Sequence, residues 1–455
     1  MATSLERLTD RLRSLAHEGA VGDRLPGVRA LVEQHGVSPV TVSRALALLA
    51  TEGLVVARPG DGTFIAERRA PALPEDHAWQ SIVLGATAPR SDLLSLVSEP
   101  AKNSISLGSG YLDASVLPSR ELARAMTRVV RREGAFTRAP IEGIPPLRQW
   151  FAQRAGGLDP NSVLIVGGGQ SAIRTALQAT TLPGQSLLVE SPTYIGAMAV
   201  ARASGLRLVP VPTDADGLRP DLLEAAFASS GARVLYCQPA FANPTGATLS
   251  TPRRREVLDL CRKFGAFAIE DDYSRDLEFD TKPPETLASA DDGHVIYIRS
   301  LTKCVAPSIR VAALCARGPV MMRLRATRVL DDFFVPRPLQ EAALEFVASP
   351  AYDRHLKRLR VALADRMRTV EERVRAKLPQ MRLDFVPRGG FSVFLKMPAG
   401  TDDVDFAIRA ARIGVTVSPG SLWYPADAPE PGLRLSVAGA DADAVRAGID
   451  RLATL

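Results

Sequence analysis

The chain is poor in several residue types, and each shortage excludes something. Its 455 residues contain four cysteines, Cys237, Cys261, Cys304 and Cys315, none in a Cys-x-x-Cys pair. That scatter argues against a disulfide framework and suits a reduced, cytoplasmic location. The five histidines, His17, His35, His77, His294 and His355, show no metal-ligand spacing, so no metal is expected. No apolar run is long enough to span a membrane, and the opening MATSLERLTD lacks the apolar stretch of a signal peptide. Lysine is scarce, at seven of the 56 basic residues, which makes each lysine a rare choice.

A 46% hydrophobic and 23% charged composition is that of a globular protein, and the length calls for two or three domains. The net charge of +6 permits nucleic-acid binding. It does not mark where: residues 1–69 hold nine Arg against eight Asp or Glu. Pattern must do so instead. Leu5, Leu8, Leu12 and Leu15 form one stripe of a helix over 5–16. A second, short helix opens at Pro26 with Val28, Leu31 and Val32, and ends at Gly36. Ser38 caps a third, with Pro39 in its first turn and Val42, Ala45, Leu46 and Leu49 facing inward. Two short strands at 54–57 and 63–65 flank Arg58-Pro59-Gly60-Asp61-Gly62 and read as a hairpin. Helix, helix, turn, helix, hairpin is a winged helix-turn-helix.

After a Pro- and Ala-rich stretch the rhythm changes. Apolar strand candidates recur at 186–189, 207–211, 233–237, 267–270, 295–298 and 311–315, with helical patterns at 170–181, 219–229 and 251–264. This alternation implies a mostly parallel α/β sheet covered on both faces. Beyond about residue 320 the chain is largely helical, with strands near 391–396 and 432–437. The expected division is a DNA-binding module over 1–68, a linker and docking segment over 69–103, and an α/β domain over 104–455. Within the last, a large lobe takes about 145–320, and a smaller α+β lobe joins 104–144 to 321–455.

Four patterns in the α/β domain bear on chemistry. Gly167-Gly168-Gly169-Gln170-Ser171-Ala172 follows the apolar run 163–166 and opens a helix, offering free N–H groups and a positive dipole end to a phosphate. Asn243-Pro244-Thr245-Gly246, Glu270-Asp271-Asp272-Tyr273 and Ser300-Leu301-Thr302-Lys303 each follow or end a strand, with Arg310 beyond the last. Open α/β sheets build ligand sites at such carboxyl ends. A buried carboxylate can keep a pyridine nitrogen protonated, a desolvated lysine can condense with an aldehyde, and Ser, Thr and Arg can hold a phosphate.

The N-terminal motifs Leu25-Pro26-Gly27-Val28-Arg29, Gly36-Val37-Ser38-Pro39-Val40-Thr41-Val42-Ser43-Arg44 and Gly60-Asp61-Gly62-Thr63-Phe64 resemble the GntR family over about residues 5–66. Residues 104–455 look like a fold-type-I aminotransferase domain. The whole chain resembles the MocR subfamily of transcriptional regulators. The resemblance implies pyridoxal 5'-phosphate held as an aldimine on Lys303. Asp271, or less favoured Asp272, would pair with the ring nitrogen, Tyr273 and Asn243 with the ring oxygen, and Tyr194 would stack on the ring. Gly169, Gln170, Ser171, Ser300, Thr302 and Arg310 would hold the phosphate. Arg434, in Gly432-Leu433-Arg434-Leu435-Ser436, would bind an effector carboxylate. Arg29, Ser38, Val40, Thr41, Ser43, Arg44 and Gly62 would face double-stranded operator DNA in a homodimer. Phe136 stands where related dimers supply a tyrosine to the partner's phosphate.

Three functions follow from this. One is a regulator that senses pyridoxal phosphate itself, or an amine or amino-acid effector, without turnover. Another is a working aminotransferase with an N-terminal docking module. The third is a scaffold without cofactor, against which Lys303, Asp271 and Arg310 argue.

Overall fold

The computed structural model describes residues 4–58, 61–66, 79 and 103–455. The chain forms two compact units, 1–88 and 89–455. Apart from Trp79 and Asn103, the expected linker over 69–103 lies outside the described residues.

In the first unit, α1 (Ser4–Glu18) buries Leu8, Leu12 and Ala16. α2 (Val28–His35) starts two residues later than expected, because Gly27 adopts an extended conformation as the N-cap. It stops at Gly36, whose φ of 60° places it in the left-handed region open to glycine. α3 (Pro39–Thr51) opens as expected, with Ser38 Oγ accepting from the Thr41 N–H at 3.1 Å. Val42, Ala45 and Leu49 are buried, but Leu46 only partly. β1 (Val55–Arg58) pairs antiparallel with β2 (Gly62–Ile65), one residue later than predicted for the first strand. Arg24 adds a bridge to Phe64, widening the hairpin edge. One core joins all these elements.

The second unit opens with β3 (Ile105–Ser106), which pairs parallel to β13 (Val415–Thr416). Its main sheet comprises β4 (Val163–Val166), β5 (Ser186–Ser191), β6 (Arg207–Asp214), β7 (Gly217–Leu218), β8 (Val234–Cys237), β9 (Phe267–Asp271), β10 (Val295–Ser300) and β11 (Ala312–Ala316). The order across it is β4-β11-β10-β9-β8-β5-β6-β7. Strands β5, β6, β8, β9 and β10 run parallel, while β11 is antiparallel to both neighbours. Continuous burial along β4, β8, β10 and β11 explains why these strands read as unbroken apolar runs. The 28-residue helix Pro350–Lys377 packs against the helix Ala442–Leu452. A second sheet joins β12 (Ser392–Lys396), β14 (Ser418–Pro419) and β15 (Gly432–Ser436) in the order β12-β15-β14.

Candidate cofactor site

The parallel strands β8, β9 and β10 point their carboxyl ends at one cavity of about 370 Å³. Asp271 ends β9 there. Its Oδ2 accepts from the Tyr236 hydroxyl at 2.6 Å and from Gln238 Nε2 at 3.0 Å. Burial pushes this carboxyl up to about 6, against the two donors that favour its charge. Asp272, next along the chain, is engaged elsewhere, accepting from the Tyr297 hydroxyl at 2.8 Å and from Arg275. Strand alternation thus separates two carboxylates that the sequence left in competition.

Lys303 follows β10. Its Nζ donates to the Gly110 carbonyl at 2.9 Å and lies 3.9 Å from the centre of the Tyr111 ring. Burial lowers this amine to about 7, and Arg434 and Arg310 push the same way. About half of it is therefore an uncharged nucleophile at neutral pH, where an ordinary lysine near 10.4 is almost wholly protonated. The rate at which apoprotein takes up pyridoxal phosphate is expected to climb between about pH 6 and 8, levelling once the amine is free. Stopped-flow absorbance at fixed ionic strength measures it; a rate still rising steeply at about pH 9 would contradict the lowered amine.

The cavity has a distinct anion-binding end. The helix Gly169–Thr180 begins directly after Gly168, and its first N–H groups lack intrahelical acceptors. Ser300 Oγ donates to Thr302 Oγ1 at 3.0 Å and accepts from the Thr302 N–H. Arg310, at a φ of 49°, donates from Nη2 to the Gly167 carbonyl at 2.6 Å. A β-carbon at Gly168 would sit 2.6 Å from that guanidinium nitrogen. Gln170 Nε2 donates to the Gly196 carbonyl at 2.8 Å, and the Tyr194 hydroxyl donates to Gln170 Oε1 at 3.2 Å.

At the other end, Arg434 from β15 is 2% exposed. It donates to the Gly108 carbonyl and to Ser392 Oγ, its Nε has no partner, and the Trp423 ring centre lies 5.0 Å from its guanidinium carbon. Burial lowers it to about 10.

The structure brings eleven of the expected residues to the cavity wall: Gly169, Gln170, Tyr194, Asn243, Asp271, Tyr273, Ser300, Thr302, Lys303, Arg310 and Arg434. Ser171 is not among them. It lies in the first turn of the helix, and its Oγ is buried without a partner. The Tyr273 hydroxyl is already committed as a donor to the Phe241 carbonyl at 2.9 Å, leaving only its lone pairs for a ligand. Phe136 lies outside the cavity and is 80% exposed.

Sequence reasoning missed Tyr111, Gln238, Phe391 and Trp423, all on the wall. The Gly108-Ser109-Gly110-Tyr111 run is a signal for the first, since paired glycines beside an aromatic mark a close backbone approach. It also missed Glu190, near the end of β5, whose Oε2 accepts from the Gln238 N–H at 2.8 Å. Gln238 in turn accepts from the Asn243 N–H at 2.9 Å. One glutamine side chain therefore fixes Asn243 and Asp271 together.

In the first unit, Arg29, Ser38, Val40, Ser43 and Arg44 are exposed and Thr41 is half-buried. Ser38 spends its hydroxyl on the cap and on Thr41 Oγ1. Gly62 has a structural reason of its own: at a φ of 125°, its β-carbon would lie 2.7 Å from Arg24 Nε. Arg24, unforeseen from sequence, thereby joins the exposed arginines of this unit.

A model of the aminotransferase class I and II family matches residues 102–452, and one of the bacterial regulatory proteins of the gntR family matches residues 5–65. The chain is 27% identical to the probable rhizopine catabolism regulatory protein MocR of Rhizobium meliloti, over 98% of this chain and 92% of that one. It is 28% identical to the HTH-type transcriptional regulator TauR of Rhodobacter capsulatus, over 98% and 96%.

The chain belongs to the MocR subfamily.

It is a GntR-type regulator fused to an aminotransferase-like domain. Among solved structures it is similar to LysN, the alpha-aminoadipate aminotransferase of Thermus thermophilus, with a TM-score of 0.75 and 28% identity. That match covers 80% of this chain and 94% of LysN. The winged helix-turn-helix and the fold-type-I aminotransferase architecture expected from sequence are both present. Among the described residues no helix is long and apolar enough to cross a membrane, and no cluster could hold a metal ion.

Proposed function

We propose that this MocR-subfamily chain is a DNA-binding transcriptional regulator that holds pyridoxal 5'-phosphate through Lys303 and responds to an amine or amino acid. The observation that carries this reading is the joining of two intact modules: every element of a winged helix-turn-helix, and a cavity furnished for the cofactor. The cavity suits it on three counts. Asp271 presents a buried carboxylate for a cationic ring nitrogen, and the Gly169 helix start with Ser300, Thr302 and Arg310 suits a phosphate. The missing β-carbon at Gly168 leaves room for the arginine.

Once bound, pyridoxal phosphate supplies an aldehyde that condenses reversibly with amines and a ring that withdraws electrons. The protein's own contribution is to position and to tune. Asp271, held by Tyr236 and Gln238, fixes the proton on the ring nitrogen. Asn243 offers an amide to the ring oxygen, the Tyr273 phenol would have to release the Phe241 carbonyl to donate there, and Tyr194 offers its ring to the ring face. Lys303 Nζ, about half uncharged at neutral pH, offers the amine an effector displaces, and Arg434 takes the effector's carboxylate. None of these roles requires turnover. An effector shifts the regulator only through unequal affinity for its two conformations.

DNA recognition falls to the exposed N-terminal half of α3, where Val40, Thr41, Ser43 and Arg44 meet a major groove, with Arg29 on backbone phosphates. The partner subunit is a second copy of this chain. Phe136 and Leu330 are 80% and 87% exposed, and Arg337, seven residues beyond Leu330, donates to the Arg138 carbonyl, which ties their two segments together. Two exposed apolar side chains on segments tied together support a partner packing there.

The test is a mobility shift of the intergenic DNA upstream of the protein's own gene, at about 50 and 150 mM salt, with and without pyridoxal phosphate and amino acids. A specific shift that an amino acid changes is the expected result. No shift at either salt, together with steady conversion of amino acids to keto acids, would establish the aminotransferase reading instead.

A further inference from the structure

Among the described residues three basic side chains line the cavity, Lys303, Arg310 and Arg434, and each already has an assignment. Arg310 stands at the anion-binding end beside Gly167. The other two meet at Gly110: a β-carbon there would lie 3.5 Å from Lys303 Nζ and 3.7 Å from Arg434 Nη2. A group that receives an amine and a group that receives a carboxylate thus converge on one point. That suits a ligand whose amine and carboxylate share a carbon, and disfavours one whose charges are separated by a chain of methylenes.

Around this point the wall is aromatic. The Phe391 ring is 3.9 Å from the same position. The Tyr111 ring centre is 3.9 Å from Lys303 Nζ, and that of Trp423 is 5.0 Å from the Arg434 guanidinium carbon. Trp423 is pinned in place, its Nε1 donating to Ser418 Oγ at 3.0 Å. Among the described residues the lining has no fourth cation to meet a second carboxylate, and its one acid is Asp271. An unpaired carboxylate in such a place is strongly disfavoured, whereas an apolar side chain gains from burial against the rings.

We infer that the effector is an α-amino acid with an uncharged, apolar side chain, read by Tyr111, Phe391 and Trp423. This rests on the cavity being the cofactor and effector site proposed above, and adds the ligand's class to it.

The full-length protein, purified with bound pyridoxal phosphate, is titrated with L-phenylalanine, L-leucine, L-glutamate, L-aspartate and 4-aminobutyrate while the cofactor's visible band is followed. Half-saturation by phenylalanine or leucine at concentrations at least about 30-fold below the other three is expected. Equal or tighter response to glutamate, aspartate or 4-aminobutyrate overturns the inference and leaves the amine-responsive site standing. If no amino acid moves the band, the site reading fails and the inference with it. In Tyr111→Ala the ratio of half-saturating L-alanine to L-phenylalanine is expected to fall about 5-fold or more. An unchanged ratio would remove Tyr111 from the specificity wall, and a ratio is insensitive to partial loss of folded protein.

Discussion

Replacing Lys303 with alanine will abolish covalent retention of pyridoxal phosphate. Borohydride treatment of the wild-type protein should leave the cofactor attached through denaturation and gel filtration, as a mass increment on the peptide that contains residue 303. The variant should show none. The effect is all-or-none because, among the described residues, no other lysine lines the cavity. The fold should survive, since Nζ makes a hydrogen bond to one backbone carbonyl, Gly110. Removing an amine that burial already holds near neutrality leaves no stranded charge behind. Circular dichroism and a normal gel-filtration volume would establish this. A fixed adduct persisting in Lys303→Ala would reassign the attachment to another amine.

The second large effect is one of stability. Arg299, in the middle of the main sheet on β10, is 5% exposed. Its Nη2 donates to both carboxylate oxygens of Asp276, at 2.6 and 2.8 Å. Tyr352 adds a longer hydrogen bond from its hydroxyl. Burial alone would raise the Asp276 carboxyl; the guanidinium outweighs it and holds the group below the ordinary carboxylate range. Asp276→Ala strands a buried guanidinium and should destabilise the aminotransferase-like unit by about 3–5 kcal/mol, read from urea unfolding midpoints. The sign of its pH dependence follows from the depressed folded-state value. The contribution is fully present above the unfolded carboxylate value near 3.9 and is lost as pH falls through the folded one. The gap between wild type and variant should therefore close below about pH 4. A gap under about 1 kcal/mol at neutral pH would show that Arg299 finds another partner. The consequence reaches the cavity, because Arg299 directly precedes Ser300 and Asp276 follows Asp271 by five residues. The pair clamps the two strand ends that carry the site.

Local chemistry and periodicity made much of this molecule legible. The Ser38 cap, the Gly36 stop and the leucine stripe of α1 depend on nearest neighbours, and all appear in the structure. The strand-end motifs around Asp271 and Lys303 were legible for a similar reason: a parallel sheet brings the ends of neighbouring strands together without any knowledge of loops. The rest depended on contacts far apart in sequence. Tyr111 reaches Lys303 from nearly two hundred residues upstream through a segment with little regular structure, and no periodic pattern announces it. Trp423 reads as an ordinary core tryptophan until β14 and β15 place it beside Arg434. The choice between Asp271 and Asp272 was open because alternation is certain but its phase is set by packing.

Arg310 and Gly168 compete for one small volume of space. The guanidinium fills the place where position 168 would carry its first side-chain carbon. Neither residue is free to drift alone. A larger residue at 168 evicts the arginine, and a shorter one at 310 leaves a void at the mouth of the anion-binding end. Across a set of relatives the two positions should change together or stay fixed together. A designer who wished to seat a bulkier anion here would have to begin at the glycine, which reaches the anion only through the arginine.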